Sequence, residues 1–198
     1  MSLYIIDDHP LVRQAIAMLL RRMRPAAKVV ELEKFSELQA AIIKNGTPEL
    51  FVLDLLLPGV KGTSAVSEVK KLYPEVPLAV LSSMPAGEAE ETCIEAGADI
   101  YIEKSTPSNE IGEALKGLFA AEASDEETIP LGDTKLSKRQ KQLILMLDQG
   151  LSNRDIAEKL AISEHTVKVH FWRLFRRLGV NSRTQALHFA RTNGWLGI

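Results

Sequence analysis

Short apolar runs alternate with longer amphipathic segments through the first part of the chain. The runs LYIID, KVVEL, LFVLDLL, PLAVLSS and IYIEK predict five β-strands. The segments between them have helical periodicity. In residues 11–23, one face of the predicted helix carries Val12, Ala15, Ile16, Leu19 and Met23. This alternation predicts an α/β domain with a parallel sheet, because near-continuous apolar strands must be covered by helices on both faces.

From about residue 135 onward the strand pattern disappears. Four helical segments follow, separated by QGLSN, AIS and GVNS. Ser152 or Asn153 can cap the second helix and Ser163 the third, while Gly150 and Gly179 are suitable helix stops. Two short helices joined by a tight turn predict an all-α, four-helix helix-turn-helix domain.

The 198 residues are enough for two small domains, and the charge is divided between them. Residues 1–134 carry 12 basic and 22 acidic side chains, a net charge of −10, whereas residues 135–198 carry 12 and 4, a net charge of +8. We therefore predict domains at 1–119 and 135–198. The acidic, small-residue-rich stretch 120–134 is interpreted as a linker. The basic part is expected to meet a polyanion.

Cysteine content and hydropathy restrict the location of the protein. A single cysteine, Cys93, cannot form an internal disulfide, which favours a reducing cytoplasm. No apolar run approaches the roughly 20 residues of a membrane helix, and the first residues enter a strand pattern directly. We expect a cytoplasmic protein with no membrane partner and no signal peptide.

Five polar side chains lie at the predicted strand ends. Asp7 and Asp8 end the first strand, Asp54 lies late in the third, Ser82 ends the fourth and Lys104 ends the fifth. Ligands of parallel sheets bind beyond the carboxyl ends of the strands, so these groups should converge. Adjacent carboxylates repel one another unless they share a cation, and Mg²⁺ prefers such oxygen ligands. With a lysine and a hydroxyl to meet phosphoryl oxygens, the pattern predicts a phosphoryl site with a carboxylate acceptor.

The motifs IIDDHPLVR, VLDLLLPGVKG, LSS and AGADIYIEKS resemble those of the receiver domain of bacterial two-component response regulators, from Tyr4 to about Phe119. The resemblance implies a flavodoxin-like strand order 2-1-3-4-5. It also implies that Asp54 accepts a phosphoryl group from the phosphohistidine of a sensor histidine kinase, and that the protein is not an enzyme.

The same resemblance assigns roles to the other residues of this edge. Asp7, Asp8 and Asp54 match positions that hold Mg²⁺, and Leu56 matches the position whose backbone carbonyl is a further metal ligand. The switch residues would be Ser82, Tyr101 and Lys104.

The third helix of the basic domain has two distinct faces at 100° per residue. Val167, Phe171, Leu174 and Leu178 form one stripe, which should face the core. The opposite face is basic and aromatic, and would suit the major groove of double-stranded DNA. Its members are His165, Val169, Trp172, Arg173 and Arg176, with Lys168 on the flank.

The strings LSKRQ, GLSNRDIAEKLAISEHTVKVH and RRLGVNSR resemble the LuxR-type helix-turn-helix. Together with the first set of motifs, they resemble the NarL/FixJ family. This resemblance implies a phosphorylation-controlled transcription regulator that forms a homodimer when phosphorylated. It also implies DNA contacts by Lys168 and Val169 and a dimer contact by residues 182–192.

Two other functions are consistent with parts of the pattern. A phosphatase of the haloacid-dehalogenase type would use an aspartyl nucleophile, but it needs a second aspartate where this chain has Leu56. Alternatively, the protein is a DNA-binding regulator whose first domain dimerises independently of phosphorylation. The intact acceptor, acidic pair and lysine count against this second alternative.

Overall fold

A computed structural model describes residues 1–123, 136, 138–160, 162, 164–180 and 182–196. Within its helices, the side chains of residues 120–123, 138–139, 165, 173 and 176 lie outside the described part. The chain divides into two units, Met1–Gly112 and Glu113–Ile198. The predicted linker 120–134 lies mostly outside the described residues, and its first residues continue a helix.

The predicted strand and helix alternation is confirmed. The strands are Ser2–Ile6 (β1), Lys28–Leu32 (β2), Pro48–Asp54 (β3), Leu78–Ser82 (β4) and Ile100–Glu103 (β5). The helices that follow them are Pro10–Met23 (α1), Leu38–Asn45 (α2), Ser64–Leu72 (α3), Ala86–Glu95 (α4) and Ser108–Ala123 (α5), with a 3₁₀ turn at Phe35–Glu37. The four later helices are Lys138–Asp148 (α6), Asn153–Leu160 (α7), Glu164–Leu178 (α8) and Arg183–Thr192 (α9).

The strands form one parallel sheet in the order β2-β1-β3-β4-β5, as predicted. Every residue of β1 and β4 is buried, which explains why these strands are apolar without alternation. On one face of the sheet the rings of Tyr4 and Phe51 lie 5.7 Å apart, and Phe51 lies 5.5 Å from Tyr73. These aromatic pairs belong to the main hydrophobic cluster of the sheet domain.

Helix α1 begins where Pro10 supplies a backbone already suited to a first helical turn. Its buried residues are Ile16, Ala17 and Leu20, whereas Ala15 is exposed. The predicted apolar face was therefore wrong in its centre. Ala17 is fully buried in its place, so the buried face of α1 is turned toward Ala17 and away from Ala15.

Helix α7 begins, and α6 and α8 end, at the predicted signals, whereas the predicted cap Ser163 lies outside the described residues. Ser152 Oγ accepts from Asp155 N at 3.2 Å, and Asp155 Oδ2 accepts from Ser152 N at 2.9 Å, which is a reciprocal cap of α7. The hydrogen bonds from Ser152 hold the pKa of Asp155 below its ordinary value. Gly150 and Gly179 have φ of 74° and 66°, as helix-ending glycines require.

The predicted core stripe of α8 is confirmed. Val167 and Leu174 are fully buried and Phe171 is 5% exposed, in one cluster with residues of α6, α7 and α9. Among the described residues, no helix combines the length and apolar character needed to cross a membrane.

Asp99 joins β4 to the turn before β5. Its Oδ2 accepts from Leu78 N at 2.7 Å and from Lys70 Nζ at 3.0 Å, and its side chain is 11% exposed. The carboxylate thus satisfies the first amide of a central strand and a largely buried ammonium on α3.

We predict that Asp99→Ala lowers the free energy of unfolding by roughly 1–3 kcal/mol, because it removes the carboxylate that accepts from Leu78 N and leaves Lys70 Nζ with only the Val76 carbonyl among the described residues. Urea denaturation of the full chain measures this change. Glu91→Ala, on the exposed surface of α4, is the control and should alter stability by no more than about 0.5 kcal/mol. Equal effects of the two substitutions would contradict the assigned role.

Candidate functional site

The register of the sheet brings the predicted acidic residues together. Ile6 of β1 pairs with Leu53 of β3, so Asp7 and Asp54, which follow these residues, lie side by side. Lys104 follows β5, and its backbone N–H donates to the Ser82 carbonyl at 2.7 Å. The carboxyl ends of four strands therefore meet at one edge, as the sequence predicted.

Lys104 joins the two innermost carboxylates. Its Nζ lies 2.7 Å from Asp54 Oδ2 and 2.9 Å from Asp7 Oδ2. The three side chains are 9%, 1% and 3% exposed, respectively. Such charges are costly to bury singly, so the ammonium and the two carboxylates stabilise one another.

Asp8 and His9 form the outer part of the cluster. The Asp8 side chain is 28% exposed, and its Oδ1 lies 2.8 Å from His9 Nδ1. Asp7 Oδ2 and Asp8 Oδ1 are both buried and accept no hydrogen bond of good geometry from the described residues. Oxygens with unused lone pairs next to further carboxylates are the donor set that a hard divalent cation requires.

The backbone of Leu56 lies beside Asp54. Its N–H donates to Asp54 Oδ1 at 3.1 Å, while its side chain is 50% exposed. This short turn holds the backbone of Leu56 next to Asp54. An apolar side chain at this position is consistent with a role for the backbone alone.

Ser82 and Tyr101 are connected through Met84. Ser82 Oγ accepts from Met84 N at 3.2 Å, and the Tyr101 hydroxyl donates to the Met84 carbonyl at 2.8 Å. Ser82 is fully buried and Tyr101 is 1% exposed. The Tyr101 ring is therefore already inside the fold in this conformation.

Sequence reasoning missed His9 and Met84. His9 directly follows the acidic pair, which was a usable signal, because the cluster required cationic or metal-binding partners. Met84 contributes through its backbone alone, so its side chain gave no signal.

The structure describes the side chains of only some of the residues predicted to contact DNA. Lys168 has a side chain 14% exposed with Nζ 4.0 Å from Glu164 Oε1, and Trp172 is half-buried. The side chains of His165, Arg173 and Arg176 lie outside the described residues.

The expectation that Val169 lies on an exposed face is wrong. Val169 is 2% exposed, and within the second unit it packs on Gly117 of α5. A Cβ added at Gly117 would lie 2.5 Å from Val169 Cγ1, closer than real contacts allow. The glycine thus permits α5 and α8 to approach at this point.

Each of the two parts of the chain matches a known protein family. Residues 3–116 match the response regulator receiver domain, and residues 134–190 match the bacterial regulatory proteins of the luxR family. The chain therefore belongs to the response regulators of the NarL/FixJ type, with a receiver followed by a LuxR-type DNA-binding domain. These proteins are transcription regulators and not enzymes, which excludes the phosphatase alternative.

Curated relatives align over nearly the whole chain. The transcriptional regulatory protein DegU of Brevibacillus brevis is 26% identical over 100% of this chain and 95% of its own length. LiaR of Bacillus subtilis is 27% identical over 96% of each chain. A nitrate/nitrite response regulator homologue of Haemophilus influenzae is 29% identical over 94% of each.

Solved structures support the fold. RcsB of Salmonella enterica serovar Typhimurium, bound to a promoter in the presence of the phosphomimetic BeF₃⁻, is 20% identical. Its TM-score is 0.52, over 96% of this chain and 99% of that one. A second RcsB structure has a TM-score of 0.54 at 22% identity, over 97% and 98% of the two chains.

The burial of Tyr101 predicts a measurable titration. Burial raises the pKa of Tyr101 above its ordinary value of 10.0, and the hydrogen bond with Ser82 opposes this in part. Because the folded state binds this proton more tightly, Tyr101 stabilises the fold fully below pH 10.0 and less as pH rises through the raised pKa.

We expect tyrosinate absorbance in an alkaline titration to lose the signal of one tyrosine in Tyr101→Phe. The lost signal should be the one that appears above the ordinary tyrosine pKa. Tyr4, whose pKa burial also raises, provides the comparison through Tyr4→Phe. If Tyr101→Phe instead loses absorbance at the ordinary tyrosine pKa, the Tyr101 hydroxyl is accessible to solvent, which contradicts the burial seen here.

Proposed function

We propose that this transcription regulator is controlled by phosphorylation of Asp54. A sensor histidine kinase supplies the phosphoryl group, Mg²⁺ assists, and the phosphorylated protein forms a homodimer that binds its operator in the cytoplasm. The observation that carries the proposal is the position of Lys104 Nζ, 2.7 Å from Asp54 Oδ2 and 2.9 Å from Asp7 Oδ2, at the sheet edge.

The donor set fits Mg²⁺. The ligands would be the carboxylates of Asp7, Asp8 and Asp54 and the backbone carbonyl of Leu56. The buried oxygens Asp7 Oδ2 and Asp8 Oδ1 support this assignment, because each has a nitrogen within 2.9 Å but accepts no hydrogen bond of good geometry from the described residues. When bound, the ion supplies positive charge that lowers the repulsion between a phosphoryl group and the carboxylates.

The residues of the chain perform the remaining steps. An Asp54 oxygen attacks phosphorus, the P–N bond to the donor imidazole breaks, and the departing imidazole keeps the bond electrons. Lys104 Nζ, now 2.7 Å from Asp54 Oδ2, is close enough to turn to a phosphoryl oxygen. The low exposure of Asp54 limits the access of water to the acyl phosphate.

The chain Ser82–Met84–Tyr101 is the proposed switch. A phosphoryl group adds a charge of about −1.5 to −2 and three acceptor oxygens. Attraction of the Ser82 hydroxyl toward those oxygens would weaken the 3.2 Å bond from Met84 N. Because Met84 also accepts from Tyr101, the change reaches the surface through the β4–α4 connection.

We predict that acetyl phosphate labels Asp54 when Mg²⁺ is present. Mass spectrometry should show one added phosphoryl group in the native protein and none in Asp54→Asn. Asp99→Asn, at the opposite edge of β4, is the control and should be labelled normally. Labelling of Asp54→Asn, or labelling that a chelator does not reduce, would contradict the proposal.

DNA binding is proposed for α8. Residues 135–198 carry a net charge of +8, which suits a phosphate backbone. Lys168 would contact phosphate, together with Arg173 and Arg176, whose side chains the structure does not describe. Val169 and Trp172 would contact bases, and Val169 must first leave Gly117.

We predict that Gly117→Ala increases the DNA affinity of the unphosphorylated protein by about fivefold or more, within the usual range of coupling between sites. The new methyl group would displace Val169 and expose α8. The DNA duplex is first selected from a random pool with the phosphorylated protein. The fluorescence anisotropy of this duplex, labelled with a dye, then measures its binding to each unphosphorylated protein.

Gly112→Ala is a matched control for this experiment. It lies in the same helix, gains the same helix propensity of about 1 kcal/mol, and would meet Leu19 Cδ2 only at 4.0 Å. Equal affinities of the two alanine variants would show that the Val169 contact does not restrict binding.

A further inference from the structure

We propose that His9 supplies a nitrogen ligand to the divalent cation of the acidic edge. The site would then favour Mn²⁺ and later transition ions over Mg²⁺ more than an all-oxygen site does. This inference rests on the proposed function, because it assumes that the carboxylates hold a cation.

The position of the imidazole carries the inference. His9 Nδ1 lies 2.8 Å from Asp8 Oδ1, 3.3 Å from Asp7 Oδ1 and 3.7 Å from Asp54 Oδ2. One donor atom from each of these four residues falls within 4.8 Å of all the others. An ion at their centre would therefore meet nitrogen as well as oxygen.

The contacts of His9 Nδ1 are ones that a bound cation can replace. Although Nδ1 is 2.8 Å from Asp8 Oδ1, that oxygen accepts no hydrogen bond of good geometry from any described residue. Lys104 Nζ lies 3.4 Å from Nδ1. An ammonium group can only donate, so this approach suits a nitrogen that presents its lone pair.

The backbone of His9 is held in place, but its side chain does not cap the helix that follows. Its N–H donates to Asp7 Oδ1 at 2.8 Å, and Pro10 immediately begins α1. His9 occupies the N-cap position, yet its side chain makes no capping hydrogen bond. The side chain is 57% exposed, so an ion can reach Nδ1 from solvent.

The donor set determines the class of ion. Mg²⁺ binds hard oxygen ligands and keeps several waters, so an imidazole adds little to its affinity. Nitrogen ligands increase the affinity for Mn²⁺, Co²⁺, Ni²⁺ and Zn²⁺ in the usual order of these ions. His9 thus affects selectivity rather than the ability to bind a cation.

Pulsed electron paramagnetic resonance of the full chain with Mn²⁺ tests the proposal. We expect the spectrum to show coupling between the bound ion and a nitrogen nucleus. This coupling should change from that of ¹⁴N to that of ¹⁵N when the protein is labelled with [¹⁵N]histidine. This labelling requires no substitution. His9→Ala should abolish the coupling and lower Mn²⁺ affinity about tenfold or more, with a smaller effect on Mg²⁺.

His188→Ala, an exposed position on α9, is the matched control and should retain the coupling. Bound Mn²⁺ without nitrogen coupling, or coupling that persists in His9→Ala, would overturn the role of His9 and leave the proposed function intact. Failure of the native protein to bind Mn²⁺ at all would overturn the cation site of the proposed function as well.

Discussion

The ammonium of Lys104, shared between Asp7 and Asp54, is the interaction on which the functional edge depends. Both carboxylates are almost completely buried at the ends of adjacent strands. Removing one partner of such a cluster typically costs about 3–5 kcal/mol, because an uncompensated charge remains buried. The same arrangement makes the edge sensitive to charge. Any new negative charge at Asp54 would change how the Lys104 ammonium divides its contacts between Asp54 and Asp7.

This constraint connects the site to the rest of the receiver. Lys104 follows β5 and is held to the end of β4 by its N–H bond to the Ser82 carbonyl, and the Ser82 side chain is connected through Met84 to Tyr101. A change at Asp54 can therefore be transmitted through hydrogen bonds to α4 and β5. In this conformation Tyr101 is already buried, so a switch of the proposed kind would exchange hydrogen bonds at Met84 rather than bring in an exposed ring.

The sequence predicted the sheet and the acidic edge because both follow from local patterns. Apolar runs end at Asp7, Asp54, Ser82 and Lys104, and parallel strands bring their ends together. Val169 could not be assigned in this way. A helical projection shows that a residue lies away from the core stripe, but it does not show that another helix covers it. The available signal was a missing side chain, Gly117, in a helix distant in sequence.

Unfolding measurements on Lys104→Met in titrations with Mg²⁺ test the central claim most directly. If Lys104 compensates carboxylates that also bind a cation, the variant should be less stable than the native protein without Mg²⁺. It should also gain more stability than the native protein when Mg²⁺ is added. Equal stability of the two proteins without Mg²⁺, and no stabilisation of either by the ion, would contradict the account.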